Sequence, residues 1–387
     1  MSHSNTIFSQ LLHQIKRHDF QKIEKNGHQP KRAYRKFSRW SQFSTMLFAQ
    51  LSVRKNLRDI EKQFNFQKNK LYHLGIGAMK RSTLSDANAS RSSDFFKDLF
   101  LHQYSKCAQI APAHKFDFPN DLYSLDASTI DLCLSLCPWA KFRKTKGGIK
   151  LHTLLNHKGH IPAFVDITDA KVTDITQAKK MNLPQGAIIV MDRGYNDYKW
   201  FRKLDTDGVW FITRLKKNAS YKVIERRAID KTAGVTSDQI IEFKKNSKKE
   251  LPLKLRRIGY FDKETGKRYY YLTNHLDLPA KTIADVYKDR WKVELFFKWV
   301  KQNLKIKKFF GYSRNAVMTQ IWIALIAMLI LAFLTFKAKA GITITELLNL
   351  LQINLFERRN IRGLLYDQYD DIQLNCYNQT TLKFRWL

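Results

Sequence analysis

The sequence is short of acid. Only 34 of its 387 residues are Asp or Glu against 68 Lys and Arg, a formal charge of +34. Charge of that size speaks of partners more than of fold, and phosphodiester polymers are the natural counter-ion. Cysteine is scarce too. Cys107, Cys133, Cys137 and Cys376 fall in no zinc pattern, and the one close pair, in "CLSLC", lies in a strand-like run. No disulfide framework follows, so a reducing cytoplasm fits best. A signal peptide and a lipidation motif are also missing. The longest apolar run, "IWIALIAMLILAFLTF" (321–336), contains a single polar residue, Thr335, and is slightly short of a bilayer span. It reads as a central core helix, and no membrane partner is expected.

What is present is a chain long enough for two or three domains. Residues 1–120 carry 21 basic against 8 acidic residues and residues 121–320 carry 40 against 21, so the positive field fades only in the tail. Residues 1–115 repeat apolar positions near the helical period in "FSQLLHQI", "SQFSTMLFAQL" and "SDFFKDLFLHQY". The polar stretch "RSTLSDANASRSS" (81–93) reads as a loop. In "KRAYRKFSRW" (31–40), aromatic residues interleave with Lys31, Arg32, Arg35, Lys36 and Arg39. That mixture suits phosphate contacts with some base or sugar packing. A solvated basic face on a helical bundle is the competing reading.

From about residue 121 the texture changes. "DLYSLDASTIDLCLSL" alternates, and "GIKLHTLLNHKGHIPAFVDIT" reads as two strands about a turn at "NHKG". "DITQAKKM" is a short helix, "GAIIVMDRGY" a buried strand ending in a charged loop, "YKWFRKL" a helix and "GVWFITRL" another strand. This order predicts an α/β fold, a mixed sheet with helices packed on it. Residues 216–280 are basic and alternating, a strand-rich insertion. Helices follow at 285–305, 317–338 and about 343–355.

Three acids share a context. Asp126 lies in "SLDAST" near the end of a strand, Asp192 follows an apolar strand in "MDRGYND", and Glu294 lies on the helix "DVYKDRWKVELFFKWVKQNLK". Ligand crevices form at strand ends beside a sheet. On that helix Tyr287, Arg290, Glu294 and Lys301 are separated by 3, 4 and 7 residues. At 100° per residue they fall within about 60° of one another, a polar stripe on a helix otherwise largely apolar. A structural Arg290–Glu294 ion pair accounts for two of the four. Three converging carboxylates would hold divalent metal through oxygen, Mg²⁺ or Mn²⁺, and two such ions can activate a water or a 3′-hydroxyl on a phosphodiester. Arg290 and Lys301 would then hold phosphate, Arg193 beside Asp192 would do the same, and Tyr287 would orient it.

The spacing Y287-x2-R290-x3-E294-x6-K301 resembles the signature of the DDE transposases of bacterial insertion sequences, in the insertion-sequence-four family. "MDRGYND" and "SLDAST" resemble the regions of that family's two aspartates, and the N-terminal helices resemble the leader of one of its branches. The resemblance implies a ribonuclease-H-like core over 116–215 and 281–340, interrupted by the β-rich insertion 216–280, preceded by a helical basic DNA-binding domain (1–115) and followed by a helical tail (341–387). It implies Asp126, Asp192 and Glu294 as metal ligands. The activity would be cut-and-paste transposition on terminal inverted repeats and target DNA, through a synaptic homodimer, in the bacterial cytoplasm at the nucleoid. Relatives that form a hairpin use a Trp of the insertion to receive a flipped base. No Trp lies between Trp210 and Trp291, which leaves Tyr221, Tyr260 and Tyr269 to Tyr271 as stacking substitutes. A ribonuclease-H-like nuclease or resolvase without strand transfer, and a DNA-binding protein with a degenerate core, are the rival readings.

Overall fold

Helices come first: α1 (Ile7–Leu12), α2 (Arg17–Lys25), α3 (Arg39–Leu51), α4 (Leu57–Phe66), α5 (Lys68–Leu71), α6 (Arg81–Ser90) and α7 (Asp94–Ala108). The computed structural model describes residues 5–30, 33–34, 36–52, 56–216, 218–243, 253–339 and 341–366. Cys376 and the basic residues Lys31, Arg32 and Arg35 lie outside the described residues. Two compact units are formed, residues 1–110 with 303–387, and residues 111–302.

The second unit is built on one sheet. In chain order it contains β1 (Leu122–Leu132), β2 (Gly147–Asn156), β3 (Ile161–Asp169), α8 (Asp174–Ala178), β4 (Ile188–Met191), α9 (Tyr198–Thr206), β5 (Trp210–Arg214), β6 (Tyr221–Arg226), β7 (Val235–Phe243), β8 (Lys254–Asp262), β9 (Lys267–Thr273), α10 (Ala280–Asp289) and α11 (Trp291–Asn303). The strand order is β3-β2-β1-β4-β5-β9-β8-β7-β6. Among the first five strands β2 runs against its neighbours, while β4 and β5 continue parallel to β1. This is the ribonuclease-H-like core that the sequence predicts. The insertion does not stand apart from it: β9 returns antiparallel beside β5, pairing Ile212 with Thr273, and extends the same sheet.

Strand β4 shows why "IIVM" lacks alternation. Ile188 and Val190 join Leu122, Ile283 and Val286 on one face, and Ile189 and Met191 join Tyr123, Phe201 and Phe211 on the other. A strand covered on both sides has no polar face to show.

Three further helices complete the first unit: α12 (Arg314–Ala338), α13 (Ile344–Asn354) and α14 (Ile361–Tyr366). Helix α12 is long and apolar enough to cross a membrane, yet 94% of its apolar window is buried, and it packs on α3, α6, α7 and α13. The sequence grouping of 281–340 is therefore corrected: residues from 303 onward belong with the N-terminal helices. A helix that is apolar all round presents no face that names its partner.

The expected loop at 81–93 is mostly helix α6. Its Leu84, Ala87 and Asn88 are buried, and the Gln42 side-chain amide donates to Asn88 Oδ1 at 2.9 Å. Ser and Asn favour turns by bonding to nearby backbone, but tertiary partners override that preference here.

Within the insertion, Arg256 donates to Asp238 through Nε at 2.9 Å and Nη2 at 2.6 Å, with both side chains about nine-tenths buried or more. Replacing Asp238 with Ala leaves a buried guanidinium unpaired, a change that costs about 3–5 kcal/mol. The expected result is a loss of amide-exchange protection in β7 and β8 of the variant, measured by hydrogen exchange, with β1 to β4 less affected.

Candidate active site

Strand parity brings the two aspartates to one face. Leu122 on β1 and Ile188 and Val190 on β4 lie in the core beneath α10, so Asp126 on β1 and Asp192, just beyond β4, follow on that side. The strands are parallel and pair Leu125 with Met191, which sets Asp126 and Asp192 at neighbouring positions. Asp192 begins a short 3₁₀ turn at Arg193–Tyr195.

The helix carrying the third acid is broken at Arg290 into α10 and α11 rather than running unbroken from 285 to 305. Around the break, Arg290 N donates to Tyr287 O at 3.2 Å and Val293 N to Arg290 O at 3.0 Å, a tightening to three-residue spacing. Arg290 keeps helical angles, φ −51° and ψ −30°, so the polar stripe survives. Arg290 Nη2 donates to Glu294 Oε1 at 2.6 Å, and its Nη1 reaches Asp126 Oδ2 at 3.4 Å. The Tyr287 hydroxyl points to Asp192 Oδ1 at 3.5 Å, a long contact. All three predicted acids are thus linked through Tyr287 and Arg290.

The electrostatics follow first from burial. Burial raises the Asp126 carboxyl to about 6, with the charges of Glu294 and Asp192 pushing the same way, against the Ala127 N–H (2.8 Å) and Arg290. Burial also lifts the Tyr287 phenol to about 12. Arg290 is itself penalised by burial, but Glu294, Tyr287 and Asp126 outweigh that and hold its proton more firmly than usual. Its Nε and the hydroxyl of nearby Tyr195 are buried with no protein partner.

The other predicted contacts divide. Lys301 Nζ donates to Ser128 Oγ at 2.7 Å and Thr129 O at 2.8 Å, tying α11 to β1. Arg193 and Lys36 are exposed. Arg39 is a correction: it is only 4% exposed, donates to Glu24, Ser92 O and His28 O, and stacks over Phe95, so it holds the helical unit together and presents no group to DNA. Its aromatic neighbours are engaged likewise, with Arg91 over Tyr34 and Phe37 and Arg17 over Trp40. Of the tyrosines proposed for stacking, Tyr271 packs on Tyr287 with ring centres 5.0 Å apart, beside Tyr260 and Tyr269. Tyr221 and Tyr270 flank Arg257 instead.

Sequence reasoning missed one group. His157, His160 and Asp289 place donor atoms within 4.8 Å of one another. Asp289 lies about 100° round the helix from Arg290, outside the stripe, and His157 sits in the turn "NHKG", where no spacing links it to the acids. The only local signal is the position of Asp289 off the polar stripe of a largely apolar helix, in "YKDRW".

A model of the transposase DDE domain matches residues 117–330, more than half of the chain. The chain belongs to the DDE transposases. A second model, described as a domain of unknown function (DUF4372), matches residues 3–77 of this transposase. A Sinorhizobium fredii protein named as a transposase, y4zB, is 32% identical over 285 residues, 73% of this chain and 79% of that one. A Geobacillus stearothermophilus protein named for insertion sequence element IS5377 is 28% identical over 68% of this chain and 70% of its own. One from Synechocystis, named for IS4SA, is 26% identical over 72% and 78%. The transposase is accordingly a DNA-cleaving and DNA-joining enzyme that uses divalent metal. Its carboxylates suit such an ion, being hard oxygen donors, and burial, the main cause of the raised Asp126, leaves that carboxylate short of solvent that a cation could replace.

The Asp126 shift has a signed consequence. The folded protein holds that proton up to about pH 6, and the unfolded chain releases it near 3.8. Between these values the folded state binds more protons, so stability falls as pH rises. In metal-free buffer, the melting temperature of the wild type should drop across this window more steeply than that of Asp126→Asn; equal slopes in calorimetry would refute the shift.

Proposed function

We propose that Asp126, Asp192 and Glu294 are the metal-holding acids of a cut-and-paste transposase of the insertion-sequence-four family. The observation that carries this is their common link through Tyr287 and Arg290, with Asp126 in the middle of β1, Asp192 just past the parallel strand β4, and Glu294 on α11. Bound Mg²⁺ or Mn²⁺, two ions in this reading, would supply an activated water or 3′-hydroxyl and stabilise the leaving oxygen. The chain's own groups do the rest. Arg290 keeps the acids together when they are not otherwise neutralised, and its guanidinium is placed to take a phosphate oxygen. Tyr287, kept protonated by its high pKa, remains a donor that orients phosphate or hydroxyl. Exposed Arg193 adds a phosphate contact beside Asp192, Lys301 holds α11 on β1 with its charge near the acids, and exposed Lys36 is a separate phosphate contact on the helical unit.

The DNA substrates are the terminal inverted repeats of the element and its target, brought together by a homodimer in the bacterial cytoplasm at the nucleoid. The excess of 34 positive charges supports a long, strongly held DNA partner.

Full-length protein is incubated with Mg²⁺ and duplexes carrying an element end, alongside Asp192→Ala and Glu294→Ala. Both variants should retain end DNA in a mobility-shift assay, while strand cleavage falls by more than about 100-fold, the upper range for losing an outer partner of a metal ligand. Wild-type cleavage in Asp192→Ala would sink the assignment of the acids.

A further inference from the structure

A second polar network runs beside the acids. Asp289 is one residue before Arg290, and its side chain is 6% exposed. Its Oδ1 accepts from Lys115 Nζ at 2.7 Å and its Oδ2 lies 2.9 Å from His157 Nδ1. The His157 ring is fully buried, and its Nε2 lies 2.7 Å from Ser124 Oγ. Ser124 precedes Asp126 by two residues on β1 and so shares its face. The His157 backbone N–H is itself fixed to Leu122 O at 2.9 Å.

We propose that Ser124, His157 and Asp289 form a latch that positions α11 on β1, and with it Arg290 and Glu294 opposite Asp126; this rests on reading those acids as the catalytic set. The chemistry of the latch is directional. Burial works against the Asp289 charge, but His157 and Lys115 outweigh it and hold the carboxyl well below the usual range. Facing that anion, His157 Nδ1 is a donor, and Nε2 is left to pair with the Ser124 hydroxyl. A buried ring bonded at both nitrogens cannot turn without losing a partner, and a buried polar group left unmet is costly. The break at Arg290 is where this matters. The helix is tied to β1 before the break by Asp289 and near its far end by Lys301, with Asp126 between the two attachments on the strand. Glu294 lies in the first turn after the break. If Asp289 let go, the pivot would be free and Glu294 would shift, and a misplacement of about 1 Å can lower a rate by about 100-fold.

Two of these side chains, His157 and Asp289, form with His160 a group whose donor atoms also suit a metal ion. The Lys115 ammonium on Asp289 and the pairing of both His157 nitrogens favour the latch.

The test uses full-length protein and the end-cleavage assay over a Mg²⁺ titration. Asp289→Asn and His157→Ala should bind end DNA within about twofold of wild type, yet cleave about 10- to 100-fold more slowly and need more Mg²⁺ for half-maximal rate. His157→Asn, whose amide N–H falls near the Nδ1 position, should recover part of the loss, and Ser124→Ala should show a smaller one. Leu204→Ala, a core truncation in α9 on the other face of the sheet, controls for lost stability and should leave the Mg²⁺ midpoint unmoved. Latch variants with wild-type Mg²⁺ curves, in an enzyme that Asp192→Ala still inactivates, would overturn the latch and leave the acids standing. Tight Co²⁺ absorption bands abolished by His160→Ala would overturn it in favour of a metal cluster.

Discussion

Three carboxylates within reach of one another repel, and the site depends on the cation that holds them. Arg290 fills that place: one nitrogen takes Glu294 at 2.6 Å and the other approaches Asp126 at 3.4 Å. An Arg–Glu pair four residues apart on an exposed helix would contribute only a few tenths of a kcal/mol. Here the guanidinium is only 12% exposed and serves two acids from different elements. Removing it would leave Asp126 and Glu294 partly buried and uncompensated, the expensive kind of loss. The choice between a structural ion pair and an active-site stripe therefore dissolves. The ion pair is real, and it is part of what keeps the site assembled.

That arrangement explains which features were legible in the chain. Tyr287, Arg290, Glu294 and Lys301 could be placed on one stripe because helical geometry is local, and a kink that stays in helical angles does not disturb it. Asp192 could be placed at a strand end from an apolar run, whereas Asp126, expected near the end of its strand, lies in the middle of β1, which continues to Leu132. Their adjacency required knowing that β1 and β4 pair in parallel, a contact between segments some 65 residues apart that no local pattern records. Asp289 escaped for a related reason. Its partners, Lys115 and His157, come from remote parts of the chain, and on the helix alone it looked like one more solvated charge.

The basic N-terminal segment shows the opposite error. Arg and Lys interleaved with aromatics is a composition shared by DNA interfaces and by helical units knit together through cation–π contacts. Arg39 proves to be of the second kind, bonded to Glu24 and two carbonyls over the ring of Phe95. The difference lies in burial, which charge and aromatic counts do not carry. Helix α6 makes the same point for Ser and Asn, and α12 makes it for domain membership, since a helix without a polar face gives no hint of which core it fills.

The insertion is more than a loop lengthened into strands. Because β9 pairs with β5, its side chains continue the face on which the acids lie, and Tyr271, Tyr269 and Tyr260 run as neighbouring rings toward Tyr287. Tyr287 is therefore held from two directions, by its helix and by the packing of the insertion's strands. Successive residues on a strand face opposite sides, so Tyr270, with Arg257 4.1 Å above its ring, looks away from the site. Among the tyrosines that could stack on a base, Tyr271 is buried at 4% exposed. Tyr260 and Tyr269 are the ones that are both on the site's face and partly open. Arg214, 4.8 Å over Tyr269, already lends that ring a cation. One continuous sheet thus carries both the acids, with Asp192 just past β4, and the open tyrosine rings proposed to stack on a base.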